Sequence, residues 1–215
     1  MSGIEMRRLI GRAAMDIYGR KIGRVVALSL NSNGELQSIE IQPEGSGLLR
    51  YPSDCIMLYK DALVLLPQWK AETEAICKEL KFVERRVHAL KELLHDSELP
   101  REIHEELQRK QEADLIEVRK KAESILHELN ERMQKIADEV AQLTSFLVGL
   151  KLQYISGEMD KESLDSAHEA IEPSLKAMVA EKKDIENAFA ELSRLCSPHE
   201  GQVEPHNPLT LRIRD

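Results

Sequence analysis

From Gln68 to Tyr154 apolar residues recur at alternating three- and four-residue steps, and Glu, Lys and Arg fill the gaps between them. In the first part of this stretch the row is Trp69, Ile76, Leu80, Val83, Val87, Leu90 and Leu94, broken once by Thr73. That spacing is the seam of a coiled coil. Pro100 interrupts it, because proline cannot continue the backbone ladder but suits the first turn of a new helix. Asp96 to Pro100 therefore reads as a corner or kink between a helix over 68–96 and a second one over 100–155.

The second row runs through Ile103, Leu107, Leu115, Val118, Ala122, Ile125, Leu129, Met133, Ile136, Val140, Leu143, Leu147, Leu150 and Tyr154. Two places, around Gln111 and Leu129, take consecutive four-residue steps, which locally unwinds a supercoil. At about 1.5 Å per residue this helix is roughly 80 Å long. Ser156-Gly157-Glu158 ends it, with Gly157 as a left-handed cap, and Asp160 is the N-cap of a third helix over 160–196. The seam there is Leu164, His168, Ile171, Leu175, Met178, Lys182, Ile185, Phe189, Leu192 and Cys196, with Pro173 expected to kink it. His168 and Lys182 read as polar specifiers of register. An antiparallel arm with the first and third helices packed on the second is favoured, though an oligomeric coiled coil uses the same seams.

In residues 1–67 the period changes from helical to alternating. Ile22 to Leu30 is β-branched and apolar, Asn31-Ser32-Asn33-Gly34 is a hairpin turn, and Leu36 to Ile41 alternates as the returning strand. Tyr51 to Leu58 and Ala62 to Leu66 read as two more strands. About five short strands in some sixty residues predict a small closed β-barrel. The fold class is α+β: a small N-terminal barrel, then long coiled-coil helices, then a flexible C-terminal tail.

Aromatics make up 4% of the chain and charged residues 32%, which suits long helices with narrow apolar stripes better than a wide core with a carved pocket. The net charge of -8 is uneven: residues 1–67 carry eight basic and seven acidic side chains, the remainder 22 against 31. Bulk nucleic-acid binding is thereby disfavoured. The first thirty residues do hold a basic cluster, Arg7, Arg8, Arg12, Arg20, Lys21 and Arg24. It is either barrel surface or an attachment face towards anionic lipid or, more weakly, DNA. Cys55, Cys77 and Cys196 are odd in number and lack C-x-x-C spacing, which suits a reducing cytosol rather than a zinc site or disulfide framework. No apolar run approaches a membrane span, so the expected location is cytoplasmic or peripheral on a membrane surface.

Catalytic chemistry finds no foothold. There is no G-x-S-x-G, no phosphate loop and no cysteine set beside a base. Gly45-Ser46-Gly47 reads as a loop, the scattered histidines as solvated helix surface, and Glu105, Glu106 and Asp114 as members of i,i+4 pairs. No metal, cofactor or catalytic residue is expected, and the chain reads as non-enzymatic.

Residues 197–208, Ser-Pro-His-Glu-Gly-Gln-Val-Glu-Pro-His-Asn-Pro, have the composition of a disordered linker. Residues 209–215 then alternate, with Leu209, Leu211 and Ile213 on one side and Thr210, Arg212 and Arg214 on the other. Such a strand either pairs back onto the chain's own barrel or adds to the edge of a partner's sheet, and its place beyond a tether favours the partner.

Two family resemblances are carried by these residues. Leu9-Ile10-Gly11-Arg12, Asp16-Ile17-Tyr18-Gly19, Ile22-Gly23-Arg24-Val25 and Asn33-Gly34-Glu35-Leu36 look like the PRC-barrel pattern of first strand, D-x-x-G turn and I-G-x-V, with Tyr51-Pro52 and residues 61–65 as closing strands. PRC-barrels imply an adaptor rather than an enzyme. The whole order of barrel, coiled coil, proline-containing linker and short tail resembles the archaeal CdvA family of cell-division proteins. That resemblance implies a scaffold that assembles at mid-cell on the inner membrane surface, self-associates into an oligomer or filament, and recruits an ESCRT-III-type winged-helix protein (CdvB). Leu209, Leu211 and Ile213 would carry that recruitment by strand addition. The competing reading is a PRC-barrel adaptor in RNA or ribosome maturation with the coiled coil as a spacer.

Overall fold

Alternation from Ala13 onward builds six short strands, and the heptad rows build three helices. A computed structural model describes residues 9–59, 62–96 and 101–197. The strands are β1 (Ala13–Asp16), β2 (Lys21–Leu30), β3 (Leu36–Gln42), β4 (Leu49–Pro52), β5 (Ile56–Tyr59) and β6 (Ala62–Leu65). The helices are α1 (Gln68–Asp96), α2 (Arg101–Ile155) and α3 (Lys161–Cys196).

The sheet is mixed, in the order β4-β3-β2-β1-β6-β5. β1 pairs antiparallel with β2 and parallel with β6, and every other neighbouring pair is antiparallel. Ala14, Val25, Ile39, Ile41, Leu63 and Leu65 fill its core. Gly23 is obligatory here, since a Cβ would sit 2.2 Å from the Gln42 carbonyl oxygen across the β2–β3 pair.

The expected closed barrel is not formed. Residues read as one strand, Tyr51 to Leu58, are divided by a 3-10 turn at Ser53–Cys55, so β4 and β5 become the two edges of the sheet. The four Cα steps from Pro52 to Ile56 span at most about 14 Å, so the sheet curls until the adjoining ends of its two edges are close. The turn breaks the ladder between them, with Cys55 buried at the break and its carbonyl oxygen accepting from the Leu66 N–H at 2.8 Å. The first strand also starts later than the Leu9–Arg12 stretch suggests, because Leu9 and Arg12 are joined in a turn (Arg12 N to Leu9 O, 3.1 Å). The Asp16–Gly19 turn is as expected: the Asp16 carboxylate accepts from the Tyr18 and Arg20 N–H groups, both at 2.9 Å.

Helix ends obey their local chemistry. Asp160 Oδ1 accepts from the Ser163 N–H at 2.7 Å as an N-cap, and Gly157 takes a φ of 79° that closes α2. The helix α3 continues through Pro173.

The seams find their counterparts within the molecule. α2, at 55 residues, is a central beam of about 80 Å, with α1 packed along its N-terminal part and α3 folded back from its C-terminal end, the two overlapping around its middle. Ile76, Leu80, Val83, Val118, Ala122, Leu192 and Leu195 form one buried cluster, with Val87, Leu115 and Ile125 against it. Trp69, Leu129, Ile136 and Ile185 form another, with Val140, Met178, Phe189 and, from the sheet module, Tyr18 packed around it. Leu90, Leu143, Leu147, Leu164, Ile171 and Leu175 are half-buried, and the side chain of Leu94 lies outside the described residues.

The row in α3 keeps Ile185 and Leu192 buried as predicted but is offset by one at other positions. Its buried line is Ala177, Glu181, Ile185, Leu192 and Leu195, whereas Lys182 is half-buried and His168 exposed. Residues one place N-terminal to Met178 and Lys182 face inward because α3 packs on both α1 and α2 here, which turns it relative to a two-helix seam.

Leu80 and Ile185 are fully enclosed, so Leu80→Ala or Ile185→Ala should each lower unfolding free energy by about 2–5 kcal/mol in a urea titration. Gly23→Ala should weaken the sheet module far more than alanine at Gly34, a turn position with open space around it.

Candidate functional site

The place where sheet and helices meet is organised by one carboxylate. Glu181, on α3, is 0% exposed. An isolated charge there would be prohibitively costly, so it must be neutralised locally. Arg132 of α2 donates Nε to Glu181 Oε1 at 2.7 Å and Nη2 to the same oxygen. Arg20, from the turn after β1, brings Nη2 to Glu181 Oε2 at 2.6 Å. The Trp69 indole N–H, from the first turn of α1, donates to Oε1 at 3.3 Å. Three separate pieces of the chain thus converge on one side chain carried by a fourth.

A second set lies beside it. Asp184 Oδ2 accepts from Lys70 Nζ at 2.6 Å and from the Tyr18 hydroxyl at 3.1 Å. The Lys70 hydrogen bond holds the Asp184 carboxyl below its usual range. Burial, and then Asp184, pushes the Tyr18 phenol up, so it stays a donor. The Arg20 guanidinium also lies 5.4 Å from the Tyr18 ring centroid, and its Nε meets Asp16 Oδ2 at 2.6 Å. Buried Thr73 is satisfied by the Trp69 carbonyl one turn back, at 2.6 Å.

This arrangement disperses the basic cluster read from the sequence. Arg20 is committed inward, Lys21 pairs with Glu44, and Arg24 reaches the Gly11 carbonyl at 3.5 Å. Arg12 is half-buried, and Arg7 and Arg8 lie outside the described residues. The tail positions Leu209, Leu211 and Ile213 lie outside them as well. Glu181 itself escapes sequence reasoning, since a glutamate in a helix that is one-third charged reads as solvated. The available signal is its place four residues before Ile185, on the buried face.

Chemically the junction is a clamp. Arg20, Arg132, Asp16 and Glu181 neutralise one another, and the adjoining hollow of about 250 Å³ is bordered by Tyr51, Leu65 and Trp69. A shallower groove of about 380 Å³ between α1 and α3 is lined by Lys70, Glu74, Lys78, Lys81 and Glu191. Cys77, at its floor, and Cys55 have thiols pushed up by burial, which keeps them protonated and poor nucleophiles. Among the described residues no three His, Cys, Asp or Glu side chains converge as a metal site. No helix among them is long and apolar enough to cross a membrane.

Residues 68–208, which span the three helices and the stretch beyond them, match the model of the CdvA-like coiled-coil domain family. The chain belongs to the CdvA family. A relative from Sulfolobus acidocaldarius, named Cell division protein A, is 27% identical over 190 residues, covering 88% of this chain and 79% of its own length. The family match begins at Gln68, one residue before the Trp69 that reaches Glu181, so the matched segment contributes Trp69, Arg132 and Glu181 to the clamp. Arg20 comes from outside it.

Replacing Glu181 with alanine leaves two arginines facing an apolar pocket. Because both are partly solvated, the cost should be about 2–3 kcal/mol rather than the larger value for a fully buried pair, with Trp69 fluorescence shifted red. Asp184 supplies a pH test. Its folded pKa is below the unfolded value of about 3.9, so its contribution is full above that pH and fades as pH falls through the folded value. Lys70→Met should therefore be less stable than the parent at pH 7, with the gap closing in acid unfolding below about pH 4.

Proposed function

We propose that this chain is a non-enzymatic scaffold of cell division that works at the inner face of the cell membrane and recruits an ESCRT-III-type winged-helix protein (CdvB). The observation that carries this reading is the family match over residues 68–208 together with a relative named for cell division. The architecture supports it. A beam of about 80 Å with a β module locked at its side offers surfaces and spacing, and the polar groups of its clamp are spent on one another.

Recruitment falls to Leu209, Leu211 and Ile213, whose alternation matches the side-chain period of a strand added to a sheet edge. Membrane contact falls to the N-terminal basic positions other than Arg20: Arg7, Arg8, Arg12, Arg24 and, once its exposed pair with Glu44 gives way, Lys21. Each cation near an anionic leaflet adds about 1 kcal/mol, so together they supply a salt-sensitive attachment, with DNA a weaker competitor on a chain of net charge -8. Arg20 has no share in it, because its guanidinium is taken by Asp16 and Glu181.

Removing residues 209–215 from the full chain should abolish capture of the winged-helix protein in a pull-down, and Leu211→Asp should weaken it at least ten-fold. Capture that survives the deletion would refute the tail mechanism. Flotation of the full chain with phosphatidylserine-containing vesicles should occur at low salt and fall away at high salt. Arg7→Ala with Arg8→Ala should reduce it. Absence of flotation at low salt would remove the membrane role.

A further inference from the structure

The predicted seams are consumed inside the molecule, yet one apolar row remains uncovered. Near the C-terminal end of α2, Val148, Leu152 and Ile155 are 64%, 67% and 71% exposed. Their steps of four and three are those of a coiled-coil seam. At about 100° per residue they centre roughly 140° away from Leu143, Leu147 and Leu150, the row turned towards α3. Around them the helix is unusual in two ways. From Val140 to Leu150 it carries no charged residue, in a chain that is 32% charged. Small residues also stand at every fourth position on its outer side, Ala141, Ser145 and Gly149. A Cβ at Gly149 would meet nothing within 4 Å, so the chain's own packing does not call for glycine there, and a glycine inside a helix weakens it.

We infer that this face is the docking surface for the same face of a second copy of this chain, the two α2 ends lying antiparallel, tip to tip. The chemistry selects that occupant. A narrow row with small neighbours fits the rounded back of another helix rather than a flat sheet. The adjoining corner carries Glu158, Asp160 and Glu162, an acidic collar that repels anionic lipid and nucleic acid. Two copies of net charge -8 repel over most of their surface, and the uncharged stretch is where they approach at least cost. In the antiparallel arrangement Leu152 of one copy lies near Leu152 of the other, which puts the two acidic corners at opposite ends of the contact rather than against each other. The area is on the order of 500 Å² per copy, about 1,000 Å² in a symmetric pair, at the edge of the weak, transient class. A two-fold contact of this kind closes on itself, so it joins molecules in pairs at one end.

This face is the surface by which the proposed scaffold self-associates, and the contact rests on that reading for its biological use only. Sedimentation velocity of the full chain over a concentration series tests it. The wild type should shift from monomer to dimer, whereas Val148→Lys and Leu152→Lys should stay monomeric to at least ten-fold higher concentration with unchanged helicity and melting. A Leu152→Cys, Cys196→Ser chain should form a disulfide-linked dimer on mild oxidation, and adding Val148→Lys should suppress it. The inference falls if the wild type stays monomeric throughout, or if the lysine variants associate as the wild type does. Binding to zwitterionic vesicles that depends on Leu152 while the chain remains monomeric overturns it in favour of lipid. Tail-dependent capture of the winged-helix protein by a strictly monomeric chain would sink this contact and leave recruitment standing.

Discussion

A carboxylate deprived of water is the constraint on which this molecule's arrangement depends. Glu181 occupies a position in α3 that a hydrophobic residue would fill with less risk, and its burial is sustained only while Arg132, Arg20 and Trp69 are all in place. A misdocked apolar surface loses a little energy for each Å of slippage, but a misdocked Glu181 loses its counter-charges outright. The clamp therefore specifies geometry. It sets the register of α3 against α2 and the entry of α1, and it fixes the β module beside both.

Around that point the energetics are conventional. The apolar clusters run from the sheet core through Trp69 and Ile185 to Leu80 and Leu192, and the long seams are covered by other parts of the same chain. Interhelical pairs such as Lys81 with Glu191 at 2.7 Å decorate the margins, where solvent keeps their contribution small. α2 carries the whole assembly because it alone touches both other helices along most of their length.

The helices are legible in the sequence because their signal is local and repeated. A heptad row, a proline at 100 and a glycine at 157 mark start, corner and stop without reference to anything distant. The Asp16–Gly19 turn and the Asn31 hairpin are readable for the same reason, and Asn31 Oδ1 does accept from the Asn33 and Glu35 N–H groups at 3.0 and 2.9 Å. The features that escape depend on partners far along the chain. Whether six strands close is decided by a 3-10 turn at Ser53–Cys55, which alternation continues straight through. Whether seams meet inside or between molecules is decided by how three helices fold back, and the same residues serve either outcome. Arg20 and Glu181 are 161 positions apart, and each alone resembles solvated surface; only their meeting shows them as interior groups. The one-residue offset of the α3 row belongs here too, since a helix with two neighbours turns to serve both.

The continuity of α2 has one further consequence. Because α2 is a single uninterrupted helix, the separation of its two ends is set by residue count and cannot be adjusted by flexing a joint. The molecule is in this sense a ruler: whatever is held at one end of α2 stands about 80 Å from whatever is held at the other.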